Sequence, residues 1–554
     1  MRKFMFLLLL AINALTAKSQ WSNNASVNNV VSNKVGSDYN PISVSDNANG
    51  AIIFFEDYFD GNIYAQHMTT AGTIAWGSSS NPVSVCVSAG QKYDASAIAD
   101  GSGGAFVAWT DYRHDAYIGE VYIQKISSAG IAQWTANGVR VTNNVSRDDL
   151  LPLLCQDGLG GVILTWYGDD TLAHTIQNYA QRYNSAGAAQ WVADGIQVTT
   201  AAGFRASSSI LPDGANGAFI FFIDTRNDPN GMDYSYLSNN DLTNSDIYGQ
   251  RLDGAGARLW TNNGAAIITA PGNQNDDLEW DALPDGSGNV ILVFNDGRND
   301  IGSYTNYDIY AQKVNSNGVP QWAANGIAVC TAAENQFTIG RASDGAGGVV
   351  VSINYESLNR IYAQKITSAG AAAWTLNGVP VSQAGQVIYD GVMASDGSGN
   401  SIFCFSTSVN PVLKAQKLNS AGILQWGIAG TDVCNNTLST PNNPSIILSD
   451  VGSFIISWSD NRNSALPSDQ DIYASKVLAT GVLAGTGSSP YTTVANGNWN
   501  NPVIWSGGIV PPVAAVVIIR HNVIGNVNAS CASVTVEAPG NLTVNNGILF
   551  SVTN

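Results

Sequence analysis

Hydrophobic and polar positions along the chain fall into a unit that repeats. Its clearest copy runs from Asp100 to Trp134, DGSGGAFVAWTDYRHDAYIGEVYIQKISSAGIAQW. Residues 105–109 (AFVAW) form a short, unbroken apolar run, the pattern of a strand covered on both faces. Residues 121–126 (VYIQKI) are mixed, and residues 131–134 are half polar. The segment ASAIA, just before Asp100, adds one more apolar stretch. The DGSGG and SAG segments separate these stretches as turns, because glycine supplies the positive φ that tight hairpins require. Four strands are predicted, running from a buried centre to a wet rim, with residues 131–134 opening the last.

The turn aspartate recurs at Asp46, Asp100, Asp157, Asp213, Asp285, Asp344, Asp396 and Asp450, which makes eight copies. The closing tryptophan recurs at Trp76, Trp134, Trp191, Trp260, Trp322, Trp374 and Trp426. The third strand is marked by IYAQHM, VYIQKI, NYAQRY, IYGQRL, IYAQKV, IYAQKI, LKAQKL and IYASKV. Four strands in a repeat of roughly 40–50 residues, lengthened by loops, are the signature of a β-propeller blade. The eighth copy lacks its tryptophan, and Leu483 stands near that place. At the other end of the chain, WSNN from Trp21 resembles WTANG from Trp134. The expected fold is all-β: an eight-bladed propeller in which the N-terminal strand, at Trp21, closes the last blade and removes an open sheet edge.

Residues 1–19 read as a secretory signal: Arg2 and Lys3, an apolar stretch, then Ala17-Lys18-Ser19 before Gln20. The ring is expected over 20–485. Residues 486–554 are a linker and a second module of short strands. The net charge of −18 and a pI near 4.4 argue against nucleic acid or an anionic membrane surface as partner. No apolar run is long enough for membrane insertion. The six cysteines lie in separate repeats or in apolar strands and read as small buried hydrophobes.

The recurring DGxGG-apolar-W-x-D-x-R and IYAQKI-xSxG-xxxW pattern resembles a group of large secreted proteins of the Bacteroidota. The resemblance implies a secreted or outer-surface location in a Gram-negative bacterium, as a monomer or part of a larger surface protein. It carries no reaction. The stretch NGNWNNPVIWSGGIVPP, through Trp499, Trp505, Gly507, Gly508 and Pro511, resembles the opening of G8-like and parallel β-helix modules.

Candidate chemistry falls on the face that carries the loops between second and third strands, because those loops vary most. Asp94, Asp149, Arg205, Asp277, Glu279 and Asp390 stand at the entry to first strands and would ring the channel mouth. Tyr234, Tyr236, Tyr304 and Trp280 could stack on sugar rings. Asp111/Arg113, Asp224/Arg226, Asp296/Arg298 and Asp460/Arg462 recur at one repeat position. They read as ion pairs bracing the loop, aided by Asp246, Asp308 and Asp471, rather than as a carboxylate-binding cluster. His114 and His174 share equivalent loops of adjacent blades but lack a third metal ligand. No cofactor motif is present. Calcium is the cation whose ligand type the Asn/Asp-rich loops offer. The expected function is recognition of an extracellular glycan or protein through the long-loop face. The alternative is a glycoside hydrolase or lyase using channel-mouth acids, and a third reading makes the ring a spacer.

Overall fold

The computed structural model describes residues 21–552 apart from 171–174, 202–204, 229–243, 275–280, 300–305, 356–357, 387, 408–410, 464–468, 486–490, 506–509, 512–515, 532 and 538. Two compact units are present, Ser22–Ala484 and a second one containing Gly485–Asn554. Within the first, eight antiparallel sheets stand around an axis, seven built from one repeat each and the eighth completed by an N-terminal strand. Blade 2 shows the pattern: Lys92–Ala99 innermost, then Ala105–Asp111, Glu120–Ile126 and Val139–Arg140. Inner strands of neighbouring blades touch around the whole ring, and Asp38–Ser45 of blade 1 meets Asn442–Leu448 of blade 8.

Burial peaks at the second strand, which is buried at all seven positions in blades 1, 2, 4, 5, 7 and 8. The innermost strand is only half-buried, because it borders the open channel. The expected fall from a buried centre to a wet rim is therefore corrected: the maximum lies one strand out.

The outer strand also differs from expectation. Residues 131–134 make only an isolated bridge, Ile126 to Ala132. The strand proper is Val139–Arg140, beyond Asn137 and Gly138. The tryptophan serves instead as a clasp between blades. Trp76 Nε1 donates to the Ser128 carbonyl of the next blade at 3.1 Å, and Trp134 repeats this on Ser185 at 3.2 Å. The glycine of each SxG turn makes room for that ring: a Cβ on Gly130 would fall 2.8 Å from Trp76. The buried glutamine of YAQK holds the same segment, Gln124 donating to Thr135 O at 2.8 Å and accepting from Trp134 N at 3.0 Å.

Seven of the turn aspartates, Asp46 to Asp396, are fixed twice. Asp100 Oδ1 accepts from Ser102 and Gly104 N–H at 2.7 and 2.9 Å. Its other oxygen faces the basic residue of the third strand. The pairs are His67–Asp46, Lys125–Asp100, Arg182–Asp157, Arg251–Asp213, Lys313–Asp285, Lys365–Asp344, Lys417–Asp396 and Lys476–Asp450. These turns and the SxG turns share one end of the ring, as Gly103 shows by lying against Ser128 of its own blade and Asp46 of its neighbour.

An N-terminal strand closes the ring, but it is Asn29–Ser32 that pairs, antiparallel, with Asp471–Val477. The third strand of blade 8 reads ASK instead of AQK, and Asn28 bonds the serine that replaces the glutamine. Asn28 Nδ2 donates to Ser475 Oγ at 3.0 Å and to Val433 O of blade 7 at 2.7 Å, so the anchor differs from that of Gln124.

The second unit contains parallel ladders. Tyr491–Thr492, Val516–Ile519 and Ser533–Val536 pair in one sheet, and Gly497–Asn498, Asn522–Gly525 and Asn541–Val544 in another. Trp499, Trp505 and Phe550 pack at its core with ring centroids 4.7–4.8 Å apart. Among the described residues no helix is long and apolar enough to cross a membrane.

Candidate functional site at the channel mouth

The long-loop end of the channel is shaped by a repeated bulge. Register slips between Tyr39 and Ile42, Tyr93 and Ser96, Leu150 and Leu153, and Asn442 and Ser445. A bulge bends its strand and re-aims side chains. Asn40, Asp94, Leu151 and Asn443 sit within these slips with φ of 50°, 57°, 52° and 48°. The amide at the bulge reaches the neighbouring blade: Ala95 N donates to Glu56 Oε1 at 2.9 Å, Leu151 N to Thr110 Oγ1 at 3.2 Å, and Asn443 N to Asp390 Oδ2 at 2.5 Å.

On blades 1–3 these bulges gather tyrosines and carboxylates. Tyr39 and Tyr58 meet edge to face at 6.3 Å, and Tyr93 and Tyr112 at 6.0 Å. Tyr58 and Phe59 are exposed. Burial pushes Glu56 up to about 7, against hydrogen bonds from Ala95, Tyr39 and Asn40. Burial also pushes Asp148 up to about 6, although Gly119 N donates to it at 2.5 Å. Tyr167 is pushed up to about 12 by burial and the nearby Asp94, Asp148 and Asp169.

Inner strands of blades 2–6 line a cavity of about 480 Å³, and Tyr39 and Tyr58 line a separate one of about 340 Å³. Asp94, Ser96, Leu151, Tyr167, Asp281 and Arg341 are among the lining residues of the larger. Arg341, on blade 6, pairs with Asp281 of blade 5, whose Oδ1 accepts from Ala282 N at 2.7 Å. The wall thus combines hydrogen-bonding groups with apolar surface, the mixture common in small-molecule sites.

The sequence candidates separate into three groups. Asp94 lies in the cavity wall, and Asp390 is half-buried, holding the Asn443 amide. Asp149 and Arg205 are fully buried and engaged in ion pairs. Asp149 meets Arg147 at 2.6 Å and accepts from Trp166 Nε1 at 2.9 Å; Arg205 meets Asp224 at 2.9 Å and donates to Gln177 at 2.7 Å. Asp277, Glu279, Trp280, Tyr234, Tyr236, Tyr304 and His174 lie outside the described residues. The tyrosines of blades 1–3 were missed because they belong to strand ends, not to conspicuous long loops.

The Asp-x-Arg pairs close on themselves. Arg113–Asp111, Arg226–Asp224, Arg298–Asp296 and Arg462–Asp460 each meet at 2.5 Å. Each guanidinium covers a third-strand tyrosine at 3.8–4.0 Å, a favourable cation–π geometry. Asp246, Asp308 and Asp471 are held instead by the following asparagine, Asn227, Asn299 and Asn463, at 2.7, 2.7 and 3.1 Å. Among the described residues no group of three or more His, Cys, Asp or Glu is placed to hold a metal ion. His114 is engaged by Glu120 at 2.8 Å. The five cysteines with described side chains are buried free thiols.

No known family matches the chain by sequence, and no curated protein does. Solved structures resemble it at low identity. A mutant of puromycin hydrolase aligns over 87% of this chain at 12% identity with a TM-score of 0.42. An ulvan lyase aligns over 68% of this chain and 90% of its own at 12% identity and 0.40. The Penicillium chrysogenum alpha-L-arabinanase complexed with arabinobiose aligns over 71% and 94% at 11% and 0.35. The chain spans 64% of the length of the puromycin hydrolase. None of these likenesses bears on activity.

The buried acids make stability depend on pH. Glu56 and Asp38 are raised to about 7, and Asp148, Asp149 and Asp246 to about 6, in each case chiefly by burial. The folded chain therefore keeps protons that the unfolded chain releases at ordinary carboxylate values. Stability is highest near and below those values and falls as pH rises towards 7. The Tm should be higher at about pH 5 than at about pH 7.5, and Glu56→Gln should reduce the difference. A Tm that rises across this interval would contradict the assignment.

Proposed function

We propose that the ring is a glycan-recognition propeller, secreted or displayed at the cell surface, that takes a polysaccharide at the channel mouth of blades 1–3. The observation that carries this reading is the pairing of Tyr39 with Tyr58 and of Tyr93 with Tyr112 at the bulged strand ends, beside a channel cavity whose wall holds Asp94 and Tyr167. Sugar rings present C–H faces that pack on aromatic rings, and hydroxyls that donate to carboxylates. A glycan array probed with the full chain should give binding that the Tyr58→Ala/Tyr93→Ala double variant weakens by about tenfold or more. Equal binding by the double variant would remove this site from the account.

A second reading rests on the acids of the channel mouth. Glu56 itself is buried and held by the Ala95 amide, so the acid open to a substrate is Asp94, which lines the cavity and is pushed up by burial. The ring would then be a carbohydrate-active hydrolase or lyase. This reading requires release of new chain ends from a bound polysaccharide, with Asp94→Asn losing turnover and keeping binding.

Residues 1–19 are read as the export signal, and N-terminal sequencing of exported protein should begin at Gln20. The parallel ladders of the second unit support reading residues 486–554 as a linker and a parallel β-helix-like module.

A further inference from the structure

The bulged inner strands differ in one respect that packing does not explain. Asn40, Asp94 and Asn443 enter the left-handed region at little steric cost, since asparagine and aspartate tolerate it. Leu151 occupies the same place in blade 3 with φ of 52°. A bulky aliphatic residue is a steric outlier there. The bond from Leu151 N to Thr110 Oγ1 needs only a backbone amide. Core burial does not account for the leucine either, because it is half-exposed on the cavity wall. Strain of this kind persists where the side chain serves a site.

The cavity around it is two-sided. Leu151, Pro152 and Tyr167 form an apolar wall on blade 3. Arg341 and Asp281 contribute a matched ion pair from blades 6 and 5, and Asp94 adds an acid from blade 2. No other cation lines the cavity among the described residues. The arrangement offers one surface to C–H groups and donors and acceptors to hydroxyls. The lone carboxylate of Asp94 disfavours an anionic ligand.

We infer that Leu151 is a specificity-determining contact, and that the channel cavity receives a neutral pyranose unit of the glycan. The C–H face rests on Leu151 and Tyr167, and the hydroxyls meet Arg341, Asp281 and Asp94. This inference rests on the glycan reading above and narrows it to uncharged sugars bound in the channel.

The test compares the full chain with Leu151→Asn, which copies the residue found in blades 1 and 8. Calorimetric titration would use soluble galactomannan, β-glucan and arabinan as neutral probes and polygalacturonate as the anionic one, with melting followed in parallel. The full chain should bind at least one neutral polymer more tightly than polygalacturonate. Leu151→Asn should weaken that binding about tenfold or more, while its Tm is unchanged or higher by about 1–2 °C. A variant that binds as the full chain does, or that melts lower with unchanged affinity, overturns the role of Leu151. Tighter binding of polygalacturonate overturns the neutral class. A full chain that binds none of the four polymers removes the glycan reading itself, and this inference with it.

Discussion

Removing residues 22–33 is expected to lower the Tm of the ring by about 5–10 °C and to make it self-associate. The segment carries Val31 and Ser32, both fully buried, and Asn29–Ser32 pairs with Asp471–Val477. Asn28 bonds Val433 and Ser475, and Arg462 donates to Val27 O at 3.1 Å and Asn28 Oδ1 at 2.9 Å. Burial of Val31, with the half-buried Val30, contributes about 2–4 kcal/mol, and each lost hydrogen bond about 1 kcal/mol. For a ring of this size about 1 kcal/mol corresponds to roughly 1 °C. The exposed edge of the third strand in blade 8 then becomes a template for pairing with another chain. Differential scanning calorimetry and light scattering read both effects. An unchanged Tm without association would contradict the closure.

Asp149→Ala should cost about 3–5 kcal/mol, since it leaves the buried Arg147 without its partner. Blade 3 is the one whose bracing has been rewired. In blades 2 and 8 the second-strand tryptophan donates to an aspartate two residues later, Trp109 to Asp111 at 2.8 Å and Trp458 to Asp460 at 3.0 Å. The matching position in blade 3 is Gly168. Arg147 and Asp149, from the inner strand, fill the space, and Arg147 covers Tyr179 at 3.8 Å as the motif arginines cover theirs. A Cβ on Gly168 would fall 2.5 Å from Arg147. Gly168→Ala is therefore also expected to destabilise, though less, because the arginine side chain can shift. Urea denaturation of both variants gives the order; a milder effect for Asp149→Ala than for Gly168→Ala would contradict this account.

Much of the ring was legible in the sequence, because each blade restates the same physical demands. The aspartate turn, the apolar second strand and the IYAQK strand mark eight units, and the missing last tryptophan announced the closure. The outer strand was misplaced because tryptophan looks like the core of a strand, whereas Trp134 acts through its indole N–H and its face. The short strand after it, Val139–Arg140, has only two paired residues and no periodicity to find. The pairing of the YAQK lysine with the turn aspartate of its own blade, Lys125 with Asp100, needed the structure, because 25 residues separate them in sequence. The site was less legible. Asp94 was visible as a charge at a strand entry, and Asp149 looked the same. Only the backbone decides between them: the bulge leaves Asp94 in the cavity wall, while Gly168 leaves room for Asp149 to bury against Arg147 and Trp166.

Hydroxyl-radical footprinting of the full chain, with and without the polysaccharide that binds it most tightly, tests the placement of the site most directly. Protection should concentrate on Tyr58, Tyr93, Tyr112 and Tyr167, leaving Trp134 and Trp322 at the outer rim unchanged. Protection of those tryptophans, with the four tyrosines unaffected, would place recognition on the edge of the ring and contradict a channel-mouth site.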